Sequence, residues 1–441
     1  MTTPRRLATA HDREILRLAV PAFGALVAEP LFLLSDSAIV GHLGTAPLGG
    51  LGVAGQALTT LVYLCVFLAY GTTAGVARQV GAGDLRGAIR QGIDGIWLAV
   101  AIGAALIVAG LPLVPWIVDA FGASAVVAPY AETYLRISLL GIPSMLVVLA
   151  GTGVLRGLQD TRTPLVVSIG GFSLNLLLNV LFVIGLGWGI AGSAWGTVLA
   201  QTGSAVVYVA VVLRAARRHG APVRPDLDGL RASATAGVGL IIRTAALRVV
   251  LIVGTSIAAR MGDAEIAAYQ VGFQIWTLLA FALDAIAIAG QAITGRYLGA
   301  SDVTGTRAVT RRMVWWGIGC GVVFGLMILV ARPWLPGLFT QDVDVRHMLL
   351  ASLFLVAVLQ PVAGVVFVLD GILIGAGDGP YLAATTLVAT AVFLPAAIVL
   401  FRTDAGLIGL WVAIGLWMLT RMLTLSLRAR GDRWMVTGAV R

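Results

Sequence analysis

Residues 21–44 read PAFGALVAEPLFLLSDSAIVGHLG. The stretch is apolar enough to cross a bilayer, yet Glu29, Pro30 and Asp36 lie inside it. A carboxylate in a membrane helix costs about 2.5 kcal/mol or more, so such a residue is read first as part of an ion, proton or substrate pathway. Glu29 and Asp36 are two helical turns apart and fall on one face, which must look into protein or water. Pro21 and Pro30 each remove a backbone donor and mark places where the helix can bend.

Outward from this stretch the whole chain has the same character. It is 441 residues long, 59% hydrophobic and 12% charged, with a mean hydropathy of +0.96. Soluble domains carry about 25% charged residues, and an outer-membrane barrel shows short alternating segments in place of long apolar runs. The expected fold is therefore an all-α polytopic membrane protein. The N-terminus runs into the first span with no small-residue cleavage pattern, so no cleaved leader is expected. All 30 basic residues are Arg. Without Lys there is no P-loop and no pyridoxal Schiff base, so any pumping draws on an ion gradient or a partner. Cys65 and Cys320 lie in apolar spans and imply no disulfide framework. No His spacing suits a metal, and no cofactor is expected.

Twelve spans are predicted, at about 14–40, 50–78, 89–116, 127–155, 163–185, 191–214, 234–259, 266–297, 309–331, 347–375, 381–401 and 406–427. The polar stretch 215–232 reads as a cytoplasmic linker, giving an N-lobe of 1–214 and a C-lobe of 233–441. Sorted by loop, 23 Arg fall on one side and five on the other, with Arg243 and Arg248 left inside the seventh span. That asymmetry places both termini in the cytoplasm of a cell-membrane protein, and it accounts for a pI near 10.3 without nucleic acid. Trp116, Trp188 and Trp334 read as interfacial anchors. Arg90 and Asp94, at i,i+4, read as a local pair.

The halves repeat. A shift of 218 carries Gly44 to Gly262, Gln56 to Gln274, RQVGAGDLRG (78–87) to RYLGASDVTG (296–305), Pro143 to Pro361, and GVLRGLQD (153–160) to GILIGAGD (371–378). Each half has six spans, so the expectation is two parallel six-helix lobes related by a pseudo-two-fold axis along the membrane normal. Asp84, Asp302, Asp160 and Asp378 read as helix-capping turn residues. Pro143 and Pro361, with Pro21 and Pro30, are the candidate hinges.

EPLFLLSDSAIVGHLG (29–44) is similar to the first helix of the multidrug and toxic compound extrusion (MATE) family in its DinF-like branch. LDAIAIAGQAITGRYLGASD (283–302) and VLDGILIGAGD (368–378) resemble the eighth and tenth helices of that branch. The resemblance extends over about 14–430. It implies the MATE fold and an inner-membrane exporter exchanging a small-molecule substrate for H+ or Na+. Residue by residue it implies an ion-coupling pocket of Asp36 with Asn175, Asn179 and Thr197, and Pro21 as a bending point. Asn179 stands where many members have an Asp, Phe32 where some have a Tyr, and Glu29 where relatives are apolar. Glu29 is either an extension of the acid path or half of an ion pair. Asp284, Asp370, Gln291 and Phe32 are the candidate substrate-cavity residues, with Arg243 and Arg248 as counter-charges to the two acids.

The leading functional reading is an antiporter for organic, cationic or amphipathic compounds coupled to H+, with Na+ as the second candidate, acting as a monomer in the lipid bilayer. The alternative is a flippase for lipid-linked precursors, which calls for cavity arginines to hold phosphate. A membrane enzyme is disfavoured because no H-E-x-x-H or nucleophile–base pattern appears, and a channel because no pore-loop motif repeats. The Arg asymmetry makes a direct prediction. Reporter fusions at Arg218 and at the C-terminus both read cytoplasmic, and a periplasmic signal at either would overturn the topology.

Overall fold

The computed structural model describes residues 4–403 and 405–439; the side chains of residues 4–10 and of Glu29, like all of Arg441, lie outside the described residues. Every described regular element is helical. The order begins α1 (Pro4–Gly41), α2 (Thr45–Leu64), α3 (Phe67–Gly81), α4 (Leu85–Ala120), α5 (Ala128–Leu140), α6 (Ile142–Gly157) and α7 (Arg162–Asn179). A π-helical turn, Val180–Gly185, then leads to α8 (Gly189–His219). There follow α9 (Leu227–Met261), α10 (Asp263–Gly299), α11 (Val303–Ala331), the short α12 (Leu335–Phe339), α13 (Val343–Gly375), α14 (Gly379–Arg402) and α15 (Gly406–Arg430). Among the described residues 11 helices or helix pairs are long and apolar enough to cross a bilayer; the pair α5–α6, bent by 51°, makes the twelfth. The chain is thus the expected all-α polytopic membrane protein.

The repeat seen in the letters is present in the backbone. Asp84 (φ −95, ψ 79) caps α4 by accepting from the Gly87 N–H at 2.7 Å, and Asp302 (φ −91, ψ 83) caps α11 by accepting from Gly305 at 2.7 Å. Left-handed turn positions recur at the same spacing: Gly83 with Ser301, Gln159 with Gly377, and Gly44 with Gly262. Ser301 and Gln159 carry side chains there, so the turn geometry is kept even where glycine is not. The fourth capping residue departs from expectation. Asp378 makes no side-chain cap; it accepts from Arg428 Nε at 2.8 Å instead.

The candidate hinges differ in their surroundings. The helix breaks at Gly141, two residues before Pro143, whereas α13 continues through Pro361 and α1 through Pro21 and Pro30. By contact the chain forms two compact units: residues 21–237, and residues 1–20 with 238–439. The stretch 215–232 groups with the first unit, and the start of α1 with the second. In the first unit α6 packs against α3 and α4; in the second, α13 packs against α10 and α11.

These packings need small residues. Gly317 on α11 and Gly364 on α13 approach backbone to backbone, and a Cβ on Gly317 would sit 2.9 Å from the Val368 Cγ2 as well as against the Gly364 carbonyl. Gly319, on the same helix, faces open space. Membrane helices gain little from apolar burial against lipid, so such close contacts carry much of the association. Gly364→Val should lower stability by about 1–3 kcal/mol while Gly319→Ala leaves it unchanged or slightly raised; thermal unfolding in detergent reads the difference.

Candidate functional site

The first unit buries a carboxylate, Asp36, that has no ion-pair partner among the described residues. Asp36, on the last third of α1, is 2% exposed. Asn179 Nδ2 donates to its Oδ1 at 2.5 Å, Ser193 Oγ donates to the same oxygen at 2.7 Å, and Tyr134 Oη donates to Oδ2 at 3.1 Å. Among the described residues no arginine or histidine forms an ion pair with it. Three neutral donors stand where a cation would otherwise be needed.

The helices supply these groups by their period. Asn175 and Asn179 are one turn apart on α7, both fully buried, and Ser193 and Thr197 are one turn apart on α8. Asn179 Nδ2 also donates to Asn175 Oδ1 at 3.2 Å, and Asn175 Nδ2 to Thr197 Oγ1 at 3.2 Å. The chain Asp36–Asn179–Asn175–Thr197 is therefore continuous. α7 gives way to the π turn immediately after Asn179, and such turns often occur at functional sites. Gly196 makes room, since a Cβ there would strike the Asn179 amide. Asn179 Oδ1 is buried without a hydrogen-bond partner.

The structure thus brings Asp36, Asn175, Asn179 and Thr197 together in one hydrogen-bonded chain, and adds Ser193 and Tyr134. Ser193 stood one turn from Thr197 in the sequence, a signal that was available; Tyr134 had none. Phe32 is half-buried on α1. The side chain of Glu29 lies outside the described residues.

The second unit holds a different arrangement. Asp370 on α13 is 6% exposed, and its Oδ2 accepts from Arg243 Nη2 on α9 at 2.7 Å and from Arg421 Nη2 on α15. Arg421 lies over the Trp417 ring, 5.1 Å from its centroid. The counter-charges of Asp370 are therefore Arg243, as expected, and Arg421, which falls inside the predicted twelfth span and is 5% exposed. Asp284 is half-buried on α10, and Gln291, 1% exposed, has a buried Oε1 with no partner among the described residues. The local pair Arg90–Asp94 is also corrected: Arg90 binds Asp226, and Asp94 accepts from the Asp226 N–H at 3.2 Å. No cluster of three metal-ligating side chains occurs among the described residues.

Comparison with known proteins bears on the same residues. The model of the MatE family matches residues 21–181 and 231–399, which include every residue of the Asp36 site except Ser193 and Thr197. The protein DETOXIFICATION 44, chloroplastic, of Arabidopsis thaliana is 30% identical over 424 residues, covering 93% of this chain and 80% of that protein. The DNA damage-inducible protein F of Escherichia coli is 28% identical, covering 95% and 92%. The crystal structure of the Vibrio cholerae MATE transporter VcmN in its bent form superposes with a TM-score of 0.88 at 20% identity, covering 98% of each chain.

The Asp370 cluster yields a stability prediction. Asp370→Asn leaves two buried guanidiniums facing each other without their carboxylate, and should cost about 3–5 kcal/mol. Thermal unfolding of the detergent-solubilised variant tests this; an unchanged midpoint would show that the three groups are not mutually dependent.

Proposed function

The chain belongs to the MatE family of membrane transporters, and on that premise we propose that it is an H+-coupled antiporter of the DinF-like branch exporting organic cationic or amphipathic compounds. The likeness to DNA damage-inducible protein F supports the branch. The observation that carries the coupling role is Asp36 buried among three neutral donors, with no cation paired to it among the described residues. A carboxylate so placed can be discharged by one proton, whereas one locked to an arginine cannot without breaking an ion pair. Asp370, held by Arg243 and Arg421, is of the second kind.

Protonation reverses what Asp36 asks of its neighbours. As an anion it accepts three hydrogen bonds; as an acid it must donate one. Asn179 is suited to both, because turning its amide would offer the unpartnered Oδ1 to the new proton. That turn would break the bond to Asn175 and pass the change to Thr197. Na+, the second candidate ion, would need several oxygens directed at it, and here Nδ2, Oγ–H and Oη–H point donors at the carboxylate. One pH unit supplies about 1.4 kcal/mol per proton, and about 2.3 kcal/mol comes from each net charge moved through 100 mV. Exchange of one proton for one monovalent cation uses only the first.

The proposal keeps the lobe division 1–214 and 233–441 about the linker, an inner-membrane monomer with both termini cytoplasmic, and hinges at Pro21, Pro30, Pro143 and Pro361. Asp284, Asp370, Gln291 and Phe32 remain the substrate-cavity residues, with Asp370 acting through its ion pairs. A flippase of lipid-linked precursors would use Arg243 and Arg421 for phosphate; both are engaged with Asp370. Asp36→Asn should abolish efflux driven by a pH gradient in proteoliposomes while the protein still folds and inserts. Efflux by that variant, or wild-type efflux that needs Na+ and ignores pH, would contradict the mechanism.

A further inference from the structure

The helix that carries Asp36 belongs to two units. Its residues from Pro21 onward pack with the first, and its start packs with the second. The start is no loose tail. Ile15, Leu18 and Ala19 are buried. Asp12 accepts from Arg312 Nε at 2.6 Å, Arg312 Nη2 at 2.6 Å and Trp316 Nε1 at 2.8 Å, while Glu14 accepts from Arg296. The His11 ring lies against Tyr297, centroids 6.2 Å apart.

The other half does the same with a carboxylate of its own. The start of α9 packs with the first unit up to Gly237. There Asp94 accepts from the Asp226 N–H, Arg90 binds the Asp226 carboxylate, and Trp97 Nε1 donates to the Val223 carbonyl at 3.0 Å. Shifted by 218, Asp94 falls on Arg312, and Trp97 falls on Trp315, the neighbour of the Trp316 that donates to Asp12. The unit boundaries, after Val20 and after Gly237, keep the repeat's spacing to within one residue. So in each half the helix after the capped turn, α4 or α11, holds the start of the other half's first helix. In both halves an arginine of that helix binds a carboxylate of the held segment, Arg90 to Asp226 and Arg312 to Asp12, and the holding contacts include the repeat-related pair Asp94 and Arg312.

We propose that Asp12, Glu14, Arg296 and Arg312 are positioning residues for the coupling reaction: they fix the start of α1 to the second unit, so that a hydrogen-bond change at Asp36 acts on both units through one helix. This rests on Asp36 being the coupling residue. Pro21, which has no N–H for the carbonyl one turn back, stands at the unit boundary, where α1 can change direction while its start stays fixed. Releasing the start uncouples proton movement from substrate movement without removing either binding site.

The test uses the full-length protein in proteoliposomes with a fluorescent organic cation. Asp12→Asn, Arg312→Gln, the exchange Asp12→Arg/Arg312→Asp and Asp36→Asn are compared for dye binding and for efflux across a series of pH gradients. Each single anchor variant should bind dye as the wild type does, lose efflux by about fivefold or more, the low end of a coupling effect, and follow the pH gradient less steeply. The charge exchange should recover both the rate and the steepness. Wild-type efflux and pH dependence in the single variants, with Asp36→Asn inactive, would overturn the anchor alone. Impaired single variants with no recovery on exchange would also overturn it. Efflux by Asp36→Asn would overturn the coupling assignment and the anchor with it.

Discussion

An acid buried in a membrane helix must be neutralised, and the structure turns on how that is done at Asp36. The neighbours are an amide, a hydroxyl and a phenol, all neutral. Each stabilises the anion by donation, and none holds it there as a guanidinium would. On the proposed reading the site gains and loses a proton at a modest cost in hydrogen bonds. Around this requirement the local architecture is arranged: Asn175 and Asn179 share one face of α7, Ser193 and Thr197 one face of α8, and Gly196 leaves space for the amide.

The two units handle the same problem in opposite ways. In the second, Asp370 meets Arg243 and Arg421. The cluster carries two guanidiniums on one carboxylate, and removal of that carboxylate leaves two like charges facing each other in a low-dielectric interior. The repeat that relates the turns and caps of the halves does not extend to these sites, since Asp36 shifted by 218 falls on Gly254. A common scaffold therefore carries one carboxylate held by neutral donors and one held by two arginines.

Much of this was legible in the sequence, for physical reasons. The spans follow from apolar runs, and the repeat from turns whose left-handed residues recur at a fixed spacing, as at Gly44 and Gly262. Asp36 stood out because a carboxylate in such a run is costly, and the resemblance pointed to Asn175, Asn179 and Thr197. Ser193 was missed because a serine in a membrane helix reads as a small packing residue, and Tyr134 because a tyrosine reads as an anchor. Arg421 was missed as a partner of Asp370 because the two lie 51 residues apart, on different helices. The grouping of residues 1–20 with the second unit depends on Asp12 meeting Arg312, 300 residues away, which no local pattern encodes.

The central claim is that Asp36 is the group that couples proton to substrate, and proton release on substrate binding measures this most directly. Calorimetric titration of the detergent-solubilised protein with an organic cation, repeated in buffers of different ionisation enthalpy, counts the protons exchanged. The account predicts release by the wild type near the pH where Asp36 is protonated and none by Asp36→Asn. Binding without proton release in the wild type, or equal release in the two proteins, would contradict it.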